Sequence, residues 1–167
     1  MKEKLTRKDV EKIQAEIDHR KLVLRPQILE AVQEARAQGD LSENFEYYAA
    51  KRENGSNNSR IRYLERMLKN AEIIEDHSTS DEVGLNKTVT VYIEEDDECE
   101  TYKIVTSIRG NSMKNLISIE SPLGKALLHH HVGDTVTIPV NDNYSYDVII
   151  REIRDTSDDE DDNIRKF

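Results

Sequence analysis

Two runs of apolar residues at helical spacing, parted by one short break, constrain this chain more than any other feature. Val10, Ile13, Ile17, Leu24, Ile28, Ala31 and Ala35 recur at steps of three, four and seven before the break. Ile61, Leu64, Leu68 and Ala71 do the same after it. Each seam buries only one stripe of a helix, so each needs a partner. Two seams joined by a short Gly-containing turn predict an antiparallel coiled-coil hairpin. Its far end is the stretch Arg36 to Lys51, R-A-Q-G-D-L-S-E-N-F-E-Y-Y-A-A-K. Asp40, Glu43 and Glu46 gather there, where a hairpin has least core to build.

The tip admits two readings. In the structural one, Gly39 ends the first helix as a left-handed cap. Asp40 is then the N-cap of the second helix, and Glu43 reaches back to it in an Asp variant of the capping box. Carboxylates also suit the positive end of a helix dipole. This accounts for Asp40 and Glu43 and leaves Glu46 without a role. In the functional reading, acid at the apex with Arg36 and Lys51 behind it suits a metal ion and a polyanion together. Phe45 and Tyr47 are candidates for packing against a partner, although Phe45 shares helical spacing with Ala49 and equally suits the seam.

Composition supports two modest units. The chain has 167 residues, is 35% charged and 36% hydrophobic and has no Trp, which is too polar for one thick core. The expected boundaries are a hairpin over 1–76, a linker over 77–86, a second domain over 87–155 and an acidic tail over 156–167 expected to be disordered. From Lys87 the apolar period changes to two: Val89, Val91 and Ile93 alternate, as do Val136 and Ile138, and Tyr146, Val148 and Ile150. Ser121 is placed to cap a short helix with Pro122 at its first position. Strands with one short helix make this an α+β domain. The net charge of −10 is uneven, with 15 Lys and Arg against 14 Asp and Glu in residues 1–75, and 9 against 20 in residues 76–167. So acidic a second half argues against broad binding to bare duplex DNA and for docking on a basic protein surface. The single Cys99 excludes an internal disulfide and suits a reducing cytoplasm. No apolar run reaches membrane-spanning length, and the first residues do not read as a signal sequence.

The tip segment G-D-L-S-E-N-F-E-Y-Y-A-A-K closely resembles that of the bacterial transcript cleavage factors, the GreA and GreB family. R-P-Q-I at Arg25, R-I-R-Y-L-E at Arg60 and N-A-E-I-I at Asn70 fall at matching places. N-L-I-S-I-E-S-P-L-G-K-A-L-L from Asn115 and V-G-D-T-V from Val132 look like the family's C-terminal domain. The resemblance covers roughly residues 5 to 154. It implies an N-terminal two-helix coiled-coil hairpin followed by a small domain like the FK506-binding proteins. It further implies a monomeric cytoplasmic factor that docks on bacterial RNA polymerase and inserts the hairpin through the secondary channel. There it stimulates the polymerase's own Mg²⁺-dependent cleavage of backtracked nascent RNA. The factor is then an activator and not itself an enzyme. By the same resemblance, Asp40 and Glu43 stabilise a second Mg²⁺ and the attacking water, only in complex with polymerase. Arg36 and Lys51 hold the displaced RNA 3′ end, Phe45 and Tyr47 pack at the tip, and Glu46 is a neighbour of the water or metal.

Three departures from the family pattern keep other readings open. N-G-S-N-N-S at Asn54 to Ser59 is a run of poor helix formers and predicts a weakened or bulged second helix. I-R-G-N-S-M-K-N at Ile108 lacks an acidic loop, and H-H-H at His129 to His131 replaces a shorter turn. Three adjacent histidines do not converge easily on one ion, so a helix C-terminal turn is expected there. The first departure sustains an alternative, a related channel-binding regulator that does not stimulate cleavage or inhibits it. A prolyl isomerase or chaperone needs an aromatic-lined pocket, for which the second domain has few aromatics. A plain coiled-coil adaptor has no use for paired acids with flanking bases. Pro26 interrupts the first helix of about 34 residues, about 50 Å at about 1.5 Å each, and predicts a kink or a loosened hydrogen bond.

Overall fold

The computed structural model describes residues 2–39, 44–157 and 164. The chain divides into two compact units, one built on Arg7–Glu72, the other on Ile73–Lys166 with Lys4–Thr6. Strands β1 (Glu3–Leu5) and β2 (Ala71–Ile73) pair as a short ribbon through which that division runs.

The first limb of the hairpin is three pieces: α1 (Arg7–His19), a π turn (Arg20–Leu24) and α2 (Arg25–Ala37). Pro26 has no N–H, and it sits in the first turn of α2, where a missing donor is least felt. The π turn just before it widens the ladder, with Arg25 N–H reaching back to the Arg20 carbonyl. The irregularity expected from Pro26 therefore takes the form of a π turn. The second limb, α3 (Phe45–Lys69), is one helix of 25 residues. No bulge appears at Asn54–Ser59, contrary to expectation. Cross-hairpin bonds from Asn57 and Asn58 compensate the poor propensity of that stretch.

The seams meet largely as their spacing predicts. Ile13, Ile17, Ile28 and Ala35 are buried on the first limb; Ala50, Ile61, Leu64 and Met67 are buried on α3. Val10 and Leu24 are half-buried, and Ala31 is exposed. Ala71 has left the helix and begins β2.

The second unit is a five-stranded sheet in the order β5-β4-β3-β7-β6. Its strands are β3 (Lys87–Ile93), β4 (Glu98–Val105), β5 (Leu116–Ser118), β6 (Thr135–Asn141) and β7 (Tyr144–Asp155). All neighbours are antiparallel except β4 and β5. Val89, Val91 and Ile93 point into the core beside Val136, Ile138, Val148 and Ile150, as their alternation requires. The short α4 (Pro122–Leu127) closes the core with Leu127. Its N-cap is Ser121, whose Oγ accepts from Gly124 N at 3.0 Å.

The segment 77–86, expected as a linker, is in part core. Val83 is fully buried and Leu85 nearly so, and Val83 N donates to His130 O at 2.8 Å. Two apolar residues inside a polar run were enough to dock it. The buried Lys87 fastens the same segment by donating Nζ to the carbonyls of Thr79 and Glu82. At the other end, Thr156 belongs with the sheet: its Oγ1 donates to Asn86 O at 2.8 Å. Residues 158–163 and 165–167 of the acidic tail lie outside the described residues.

Candidate functional site

The hairpin tip is built from the last packed turn outward. Ala35 and Ala50 are the final buried pair, small enough to bring the two limbs close. Beyond them α2 ends at Gln38, whose N–H returns to Ala35 O at 3.3 Å. Gly39 follows with φ +119°, a conformation that favours glycine and suits its expected place just past the helix.

Asn44, rather than Asp40, caps α3. Its backbone is extended, and its Oδ1 accepts from Tyr47 N at 3.0 Å. Its Nδ2 donates to Ala35 O at 2.5 Å, tying the start of α3 to the end of α2. The expected capping box at Asp40 is thereby displaced by four residues. Asn caps a helix about as well as Asp, and Asn44 can also donate, which a carboxylate cannot. Asp40 and Glu43 lie outside the described residues.

The other expected tip residues divide clearly. Phe45 is 87% exposed and takes no part in the seam, despite its spacing from Ala49. It occupies the first helical position of α3, beyond the last buried pair. Glu46 is exposed in the first turn of α3, where a carboxylate complements the helix dipole. Tyr47 is half-buried; Lys51 Nζ stands 5.9 Å over its ring. Sequence reasoning missed Tyr48, whose ring meets that of Tyr47 edge-on at 5.4 Å and which is 43% exposed. Its signal was the Y-Y pair itself, since neighbours on a helix cannot both face one seam. Arg36 is exposed in the last turn of α2, where a cation suits the dipole. The tip thus joins exposed aromatics to two cations, one of them steered by an aromatic ring.

Other candidate sites are weaker. The histidine run forms the turn after α4, with His129 at φ +71°. His129 Nδ1 meets Glu82 at 2.9 Å, whereas His130 and His131 turn to Asp134 at 3.3 and 3.9 Å. Among the described residues no group of three or more His, Cys, Asp or Glu could hold a metal ion. An open groove of about 630 Å³ on the second unit is lined by Ile117, Leu123, Ile138, Pro139 and Val140, with Tyr146 its one aromatic. That is not the aromatic-lined pocket a prolyl isomerase reading requires.

Comparison with known proteins places these features in context. Residues 3–73 match the family model described as transcription elongation factor, N-terminal. Residues 78–155 match that of transcription elongation factor, GreA/GreB, C-term. The chain is 42% identical over 149 residues to transcription elongation factor GreA of Macrococcus caseolyticus, covering 89% of this chain and 94% of the relative. It is 44% identical over 137 residues to GreA of Thermoanaerobacter pseudethanolicus, covering 81% and 87%. Among solved structures, GreA factor homolog 1 of Thermus thermophilus is 25% identical, covers 92% of this chain and 99% of its own, and superposes with a TM-score of 0.43.

Proposed function

The chain belongs to the GreA/GreB family of transcription elongation factors, and on that premise we propose that it stimulates RNA cleavage by bacterial RNA polymerase. The hairpin enters the secondary channel of a backtracked complex and brings its tip to the polymerase active centre, where the polymerase cuts its own nascent RNA. This chain acts as a monomer and is not itself the nuclease. The observation that carries this reading is the cap: Asn44 caps α3 and ties it to α2, the role that a capping box would have given to Asp40.

Each tip residue then has work suited to its chemistry. Asp40 and Glu43 offer the hard oxygen donors that Mg²⁺ prefers. Two such ligands leave most of an octahedral shell to water and to the polymerase. When bound, Mg²⁺ supplies charge neutralisation at phosphate and an acidified water. Asp40 and Glu43 hold and orient at that position, with Glu46 as an outer neighbour. Arg36 and Lys51 take the phosphates of the displaced RNA 3′ end. Lys51 is held for this by the face of Tyr47. Phe45 and Tyr47 pack on the channel wall or on a base. Reach is supplied by α3, whose 25 residues extend about 37 Å at about 1.5 Å each.

The decisive experiment adds the protein and Mg²⁺ to a halted, backtracked elongation complex and to free RNA in parallel. Shortened transcripts in the complex and intact free RNA are the expected result. Cleavage of free RNA that tracks the protein and disappears in Asp40→Ala would make the chain a nuclease in its own right. Intact RNA in the complex would point instead to a channel-binding regulator.

A further inference from the structure

The asparagines that set residues 54–59 apart fall on the seam of α3. Ala50, Asn54, Asn57, Ile61, Leu64 and Leu68 keep the alternating steps of four and three that define core positions. Asn57 is 3% exposed, and both its polar atoms cross the hairpin. Oδ1 accepts from Arg20 Nη1 at 3.0 Å, and Nδ2 donates to the Arg20 carbonyl at 3.2 Å. Arg20 Nε donates to Glu16 Oε2 at 2.7 Å. Arg60, only 5% exposed, grips the same carboxylate through Nε at 2.8 Å and Nη2 at 3.2 Å. One cross-linked polar layer therefore interrupts a mostly apolar seam. Along the chain, the buried Ile13, Ile61 and Leu64 lie on one side of it, Ile28, Ala35 and Ala50 on the other, and the buried Ile17 falls within its span.

Stability alone does not call for such a layer. Replacing buried ion pairs with well-packed apolar residues is often neutral or stabilising. What the layer adds is direction. Apolar seams of one period pair nearly as well after slipping by a turn, about 5.4 Å. A slip here would strand Asn57 and Arg60 in the interior without their partners. A single Asn at a core position is known to specify register in this way, at some cost in stability. The π turn belongs to the same device. Its first carbonyl, that of Arg20, takes the Arg25 N–H and the Asn57 amide together, so α3 reads the irregularity directly.

We propose that Asn57 and Arg20, with Glu16 and Arg60, form a positioning layer that locks the register of α3 against the first limb. The layer thereby sets where Lys51 and Tyr47 stand relative to Arg36 at the tip. Its consequence for cleavage rests on the proposed function; the register lock does not.

The test uses the full chain carrying Cys99→Ser and spin labels at Glu34→Cys and Arg52→Cys, both exposed and outside the layer. The parent should give one narrow distance distribution. Asn57→Leu should give a broadened or second population displaced by about 5 Å, with a melting temperature equal or higher. In the backtracked complex its maximal cleavage rate should fall severalfold, while the concentration for half-maximal effect stays within about twofold. A merely stabilising role for Asn57 predicts the opposite pattern, a lower melting temperature with one distance population. Should Asn57→Leu fail to fold, Arg20→Met/Asn57→Leu, which removes both partners, carries the same measurement. An unchanged single population in a folded variant overturns the proposal, as does a displaced population with a full maximal rate. A parent chain that leaves backtracked RNA intact removes the proposed function, and the distance measurement still decides the lock.

Discussion

The side chain of Asn44 donates to the carbonyl of Ala35 at 2.5 Å, joining the first residue before α3 to the last buried residue of α2. The same carboxamide caps α3 through Tyr47 N. One residue thus sets both the start of the second limb and its attachment to the first. Asn44→Ala should lose the cap and the cross-link together, about 1 kcal/mol each. Asn44→Asp keeps the acceptor and lacks the donor, so it should fall between. Denaturant unfolding followed by helical circular dichroism ranks the three chains.

Because Asn44 performs the capping, neutralising the tip acids should leave the fold alone. Asp40→Asn and Glu43→Gln should each change stability by less than about 0.5 kcal/mol. Stimulated cleavage should fall at least about tenfold, about 1.4 kcal/mol of lost transition-state stabilisation. Raised Mg²⁺ should restore part of the rate by mass action. Melts, polymerase binding and cleavage measured on the same two variants decide between a structural and a chemical role. Full cleavage by both would leave the acids without the role proposed for them.

Phe45 offers a cleaner separation of stability from function. A buried Phe truncated to Ala costs about 3–5 kcal/mol. At 87% exposure, Phe45→Ala should cost almost nothing in the free protein. Its loss should appear in the complex, as weaker stimulation of cleavage at a given concentration. A large drop in melting temperature would place Phe45 back in the seam.

Glu16 makes the hairpin sensitive to acid. Burial pushes its carboxyl up, but hydrogen bonds and charges from Arg60 and Arg20 outweigh it and hold the group below its ordinary value of 4.5. The unfolded chain therefore binds this proton more readily than the folded one. The stabilisation is complete above the ordinary value and is lost as pH falls through the lowered one. Glu16→Gln should remove this part of the acid dependence. Urea midpoints of both chains, compared from neutral pH into the acid range, should converge as pH falls; parallel curves would show that Glu16 is not depressed.

Gly124 in S-P-L-G-K is required by space. A Cβ there would meet the backbone carbonyl of Ser118 well inside contact distance, and a backbone atom cannot swing aside. Gly124→Ala should destabilise the second unit by about 1–3 kcal/mol, despite the better helix propensity of Ala. Thermal melting of the two chains measures it.

Much of this protein was legible in the order of its residues because periodicity is a local property. The spacing of Ile13, Ile17, Ile28, Ile61 and Leu64 marked the hairpin seam, and all five are buried. The alternation of Val89, Val91 and Ile93 marked an inward face, and Ser121 with Pro122 marked the start of α4. Tertiary structure decided what local pattern left degenerate. Both Asp40 and Asn44 are good caps by type, and the fold uses Asn44, which also reaches the Ala35 carbonyl on the other limb. Val83 and Leu85 read as part of a polar linker, yet both side chains are buried, and Val83 pairs its backbone with His130, far along the chain. Asn57 read as a weak helix former because propensity cannot see Arg20 across the hairpin. Short-range sterics and hydrophobic period write the elements; where a polar group has several admissible partners, only the chain folded around it makes the choice.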